Sequence, residues 1–160
     1  MKALPAFCAT LLLASAAQAR DALGMFDSWG AFRDPAPLRC YAIATPVIAS
    51  KGGWKAFAAI GNWPDKGVRN QVHIRLSRER RNTADVFLTV GDRRWKLLAG
   101  RYDGWGPSAR HDAFIVAKMR AARSMSVTSV DVNGQPFADT YRLQGAATAI
   151  DAAALGCVRR

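Results

Sequence analysis

Apolar and polar residues alternate through the middle of the chain with the period of two that a strand with one wet face produces. Val72, Ile74 and Leu76 alternate with Gln71, His73 and Arg75, and Val86, Leu88 and Val90 repeat the pattern. Gly91-Asp92 then supplies a turn, and Trp95 and Leu97 continue into a return strand. Three further candidates precede these: Trp29 to Arg33, ended by Asp34-Pro35-Ala36-Pro37; Arg39 to Ala44; and Ala56 to Ile60, ended by Gly61-Asn62-Trp63-Pro64. Tyr102 to Pro107 reads as a loop, with two glycines and a proline. The period then changes. Ile115, Met119 and Ala122 fall at helical spacing within Ala109 to Arg123. Ser108 can cap this helix, Asp112 suits the positive end of its dipole, and Lys118, Arg120 and Arg123 suit the other end.

Met125 to Val132 and Phe137 to Leu143 are rich in strand formers and flank Asn133-Gly134, a dipeptide that tolerates positive φ at both positions of a hairpin turn. Gly145 opens an alanine-rich run, Ala146 to Leu155, and Gly156 is placed to stop it in the left-handed conformation. These elements predict a mostly β, antiparallel fold, sandwich-like or a partly open barrel, with two short helices. The expected core comprises Val72, Ile74, Leu76, Val86, Leu88, Val90, Ile115, Met119 and Leu143.

The amino end follows a different pattern. Lys2 precedes an apolar stretch from Ala3 to Ala17 centred on Leu11, Leu12 and Leu13, and Ala17-Gln18-Ala19 puts small residues where a signal peptidase reads. The stretch is shorter than the roughly 20 residues that span a bilayer. Residues 1–19 therefore read as a cleaved signal peptide, with Cys8 discarded inside it. Residues 20–160 read as one mostly β domain of a periplasmic or secreted protein, with no transmembrane segment in the mature chain. Two cysteines remain, Cys40 and Cys157. An even count in an exported chain favours a disulfide between them. Two distant cysteines and the histidines His73 and His111 show no metal-ligand spacing, so no metal site is expected.

Charge adds an encounter preference. The full chain carries 23 basic and 12 acidic residues, and only Lys2 is lost with the signal. Such a surplus attracts anionic polymers, glycans and membrane surfaces without specifying one, and no specific nucleic acid is expected. Arg75, Arg78, Arg80 and Arg81 form the densest basic cluster and are the candidate anion-binding residues; the alternative for them is a solvated loop. Trp54, Trp63, Trp95 and Trp105 are either binding platforms or packing residues. Ser108, His111 and Asp112 carry the letters of a hydrolase triad within one helical turn, too close in sequence for a relay whose members normally come from separate elements. No nucleophile elbow, phosphate loop or dinucleotide fingerprint is present, and no catalytic residue or cofactor is expected.

The carboxy-terminal third resembles the invasion-associated locus B family of exported bacterial proteins. The resemblance runs through Ile115-Val116-Ala117-Lys118-Met119-Arg120, Met125-Ser126-Val127, the Gly134 turn and Tyr141-Arg142-Leu143-Gln144-Gly145-Ala146-Ala147-Thr148-Ala149-Ile150-Asp151, with Trp63-Pro64 similar as well. Ala146 stands where the family usually has an aromatic residue, and a close cysteine pair is absent. The resemblance implies an envelope or secreted protein that acts by binding and is linked to host-cell interaction. It supplies no catalytic residues. The alternatives are an electrostatic binder of anionic polymer or membrane, and a small hydrolase whose residues converge only in three dimensions.

Overall fold

The computed structural model describes residues 20–48 and 54–158. The expected signal peptide, residues 1–19, lies outside them. Among the described residues the chain forms eleven strands and two α-helices: β1 (Asp21–Phe26), β2 (Trp29–Pro35), β3 (Leu38–Ala44), β4 (Phe57–Trp63), β5 (Val68–Arg75), β6 (Phe87–Val90), β7 (Arg93–Lys96), β8 (Leu98–Ala99), β9 (Asp103–Trp105), α1 (Ala109–Ala121), β10 (Ser124–Val130), β11 (Pro136–Arg142) and α2 (Ala146–Gly156). The strands build a seven-stranded sheet in the order β1-β2-β3-β4-β5-β9-β8 and a four-stranded sheet in the order β11-β10-β6-β7. The strand pairs are antiparallel. The architecture is sandwich-like and is not a closed barrel.

One face of the large sheet is dry. Register aligns Ala31, Ala42, Ile60 and Val72 in one row across β2 to β5, and Ala44, Ala58, Ile74 and Gly104 in another across β3, β4, β5 and β9. These rows are rich in small residues, and the helix packed over β1 to β4 is α2, whose buried positions include Ala146, Ala149 and Ala153. Small side chains on both surfaces let helix and sheet approach closely. Helix α1 packs against β5 and β6, so it spans the join between the sheets. Residues from both sheets and both helices share one apolar cluster. All nine residues expected in the core are buried in it.

Cys40 on β3 bonds to Cys157 at the end of α2, across a sequence separation of 117. The bond fastens the carboxy-terminal helix to the dry face of the large sheet. Gly145, before α2, has φ +84°, and a Cβ there would collide with the carbonyl of Phe26. Only glycine meets both conditions.

Several expected boundaries move. Strand β1 has no counterpart among the expected elements, because its mixed sequence DALGMF shows no alternation and its pairing with β2 shifts register between Ala22 and Gly24. Strand β4 continues through Gly61 and Asn62 to Trp63 instead of ending at Ile60, with a register shift before Trp63. The expected loop from Tyr102 contains β9, which pairs with β5. The Asn133-Gly134 hairpin is not a two-residue turn. The ladder closes at Val130 and Pro136, and Asp131 organises the intervening loop by accepting the N–H groups of Asn133 (3.0 Å) and Gln135 (2.9 Å). Gly156 lies inside α2, with no left-handed stop; its missing side chain makes room for Leu23.

Candidate functional site

The other face of the large sheet carries aromatic rings and arginines. The same register that buries Ala42 and Ile60 turns Phe32 and Tyr41 to the opposite side, beside Gly61 and Gln71. One step along, Ile43, Ala59, His73 and Trp105 form a row across β3, β4, β5 and β9. Among the described elements, the helices contact the sheet over its alanine-rich side. The opposite side is therefore the outer face; Phe32, Phe57, His73 and Trp105 are half-buried on it and Tyr41 is buried.

At the β5–β9 end, His73 is the centre. Its Nε2 lies 2.8 Å from Asp103 Oδ1. Its ring stacks parallel to Trp105 at a centroid distance of 5.1 Å, and Phe57 meets it edge-on at 5.2 Å. Arg75 Nη1 lies 3.7 Å from the second oxygen of Asp103, and the guanidinium sits 5.8 Å from the Tyr102 ring. Trp54 meets the edge of Tyr102 at 4.6 Å and donates its indole N–H to Leu76 O at 2.8 Å. The alternation placed His73 on the wet face, and it is there. The partners Asp103 and Trp105 come from a three-residue strand that the sequence presents as loop.

At the β2–β3 end, Asp34 accepts from Arg20 Nε at 2.9 Å and from Arg39 Nε at 2.7 Å. Burial pulls the Asp34 carboxyl upward, but the hydrogen bonds and charges of the two arginines outweigh it and hold the group below its usual range. The two guanidiniums lie 5.4 and 5.1 Å from the Tyr41 ring, so the arginines are held by charge on one side and by a π face on the other. Trp63 lies over Gly61, where a Cβ would strike the ring. Arg20, Asp34, Pro35, Arg39, Trp63 and Lys66 are among the residues around a cleft of about 520 Å³. A second cleft, of about 840 Å³, lies between the β4–β5 connection and the end of α2, near Asn62, Arg69 and Leu155. Neither cleft is lined by His73 or His111.

The four arginines singled out in the sequence separate. Arg75 joins the His73 cluster. Arg78 Nη1 pairs with Asp131 at 2.9 Å. Arg80 is turned inward and is only 8% exposed. It donates to Gly100 O (2.9 Å), Arg81 O (2.9 Å), Asn82 O (2.7 Å) and Ala84 O, so it stitches a loop together and offers no charged surface. Arg81 alone is exposed, above the Gly134 turn. A sequence count of nearby charges cannot show that a run of arginines alternates between inward and outward positions.

Ser108, His111 and Asp112 do not form a relay. Ser108 accepts the His111 backbone N–H at 3.4 Å as a helix cap, and its Oγ lies 2.8 Å from His111 Nδ1. Asp112 points away into the protein and accepts the Val72 N–H at 3.2 Å. Burial pushes the Asp112 carboxyl upward, and the Val72 bond and the nearby His111 charge only partly offset this. An acid whose folded pKa is raised holds its proton more tightly in the native state, so stability falls as pH rises from the unfolded value of about 3.9. Asp112→Asn keeps the acceptor and removes the ionisation. Its melting temperature relative to wild type should be lowest near pH 3 and should rise as pH climbs above about 4. A difference independent of pH would show that Asp112 carries no such penalty.

Among the described residues no group of three or more histidine, cysteine or acidic side chains is placed to hold a metal ion, and no helix is long and apolar enough to cross a membrane. Comparison with known proteins places the chain in no group: no family model matches it, and neither the curated proteins nor the solved structures contain a match.

Proposed function

We propose that this is an exported protein of the bacterial envelope, periplasmic or secreted, that acts by binding and uses the outer face of the large sheet to hold its partner. The observation that carries the reading is the set of rings and arginines gathered on one face of the large sheet, with the helices packed on the opposite side. Aromatic residues and arginine are the types enriched where proteins meet partners, because they combine large contact area with directional polar groups. The disulfide is compatible with export. The resemblance to invasion-associated locus B proteins supports the same class and suggests a partner at the cell surface or on a host. A hydrolase is less well supported. The described contacts of His73 are a carboxylate and two rings, with no hydroxyl or thiol nucleophile among them, and the Ser108 hydroxyl beside His111 caps the helix while Asp112 turns away to Val72.

The test is capture from envelope extract on the immobilised protein. Wild type should retain a defined set of components. A Phe57→Ser, Trp105→Ser double variant should lose that set, and a variant on the far helix, Phe114→Ser, should keep it. Circular dichroism confirms that each variant folds. Undiminished capture by a folded double variant would sink the assignment of the face.

A further inference from the structure

We propose that the cleft at the β2–β3 end of the outer face is a binding site for an acidic sugar, one that presents a carboxylate or sulfate beside a sugar ring. This rests on the outer face being the binding face and names what one end of it takes. Three cations, Arg20, Arg39 and Lys66, surround the cleft against one carboxylate, Asp34, which leaves a positive surplus. Asp34 occupies the Nε groups of both arginines and lies 2.7 Å from Arg39 Nη2. The terminal nitrogens of Arg20 make no described hydrogen bond, and their paired N–H groups match the two oxygens of a carboxylate or sulfate. Asp34 thus acts as a positioning residue that fixes where the guanidiniums point. Lys66 makes no ion pair or hydrogen bond among the described residues and is exposed at the rim. Cleavage after Ala19 would make Arg20 the first residue, and its α-ammonium would add another positive charge at the same rim.

The remaining wall separates a sugar from a bare ion. Trp63 lines the cleft and is held across Gly61. The C–H face of a sugar ring is apolar and slightly positive, which suits the negative face of an indole. The volume, about 520 Å³, is that of a small-molecule site and far exceeds a single inorganic anion. A lipid tail fits poorly, because the apolar lining is limited to Trp63 and the Pro35-Ala36-Pro37 turn.

The experiment is isothermal titration of the protein recovered from the periplasm, without an amino-terminal tag. The probes are a heparin-derived tetrasaccharide, neutral maltotetraose, and inorganic sulfate at matched charge. The acidic tetrasaccharide should bind and the neutral one should not. Lys66→Gln, which breaks no ion pair among the described residues, should weaken binding about fivefold. Trp63→Ala should weaken it at least about fivefold, with the melting temperature reported beside it. Absence of binding, equal affinity in Lys66→Gln, or inorganic sulfate binding as tightly as the tetrasaccharide would each overturn the proposal. If the sugar fails while the Phe57→Ser, Trp105→Ser variant still loses envelope capture, the sugar site falls and the binding face stands.

Discussion

Arg80→Met should destabilise the protein by about 3 kcal/mol or more, with a clear fall in the urea midpoint at unchanged slope. The guanidinium's Nε–H serves Gly100 O, and the two N–H bonds of Nη1 are shared among the carbonyls of Arg81, Asn82 and Ala84, of which Arg81 O also accepts the Ala84 N–H. A buried carbonyl that loses its donor costs its desolvation, about 1–3 kcal/mol for each group that water cannot reach. Methionine fills part of the volume and restores none of the donors. Arg80→Lys should recover a fraction of the loss, because an ammonium carries three donors but lacks the planar fork that reaches both sides of the loop. Arg81→Gln, one residue on and exposed, should change stability by no more than about 0.5 kcal/mol. Equal effects at the two positions would show that Arg80 is not the brace of this loop. Changing Arg78, Arg80 and Arg81 together would confound surface charge with folding. A test of surface charge therefore belongs on Arg75 and Arg81.

Cys157→Ser should lower stability by about 2–5 kcal/mol, the usual cost of losing a native disulfide from a small domain. The bond closes a long loop, which restricts the unfolded chain, and it anchors α2 where few other devices do. Helix α2 has no side-chain hydrogen bond at its amino cap, no acid in its first turn and no base in its last. Its buried side chains are mostly alanine, so it removes little apolar area from water per residue. Arg120 reaches Asp151 from α1, but that pair is exposed and adds little. Thiol titration of the chain without residues 1–19 should find no free thiol, either native or unfolded without reductant. Two free thiols per chain, or a Cys157→Ser protein as stable as wild type, would contradict the role assigned to the bond.

What the sequence made legible follows from where local pattern and tertiary context agree. The strands around Ile74 and Leu88 alternate cleanly because one face packs on the core and the other meets water. The helix at Ala109 announces its start through Ser108. The cysteine pair was readable from the even count left once residues 1–19 are read as a signal peptide. The outer-face site was less legible, and the reasons are physical. Strand β9 is three residues long and contains Gly104, so propensity is silent; its place is fixed by pairing with β5. The partnership of His73 with Asp103 joins positions 30 apart, and that of Arg20 with Asp34 depends on β1 and β2 turning back on each other. Gly61 reads as a strand breaker until Trp63 is seen lying across it. One signal was available: His73 and Arg75 fall on wet-face positions of an alternating strand, and large aromatic or cationic groups there mark a face that does more than meet solvent.

The measurement that bears most directly on the outer face is hydroxyl-radical footprinting of the protein in intact cells against the purified chain, read residue by residue by mass spectrometry. Protection in cells should appear at Phe57, His73, Trp63 and Trp105 and should be absent at Phe114 and Leu155, which are exposed on the two helices. Protection at Phe114 and Leu155 with none on the rings of the sheet would contradict the assignment and place the partner on the helical side.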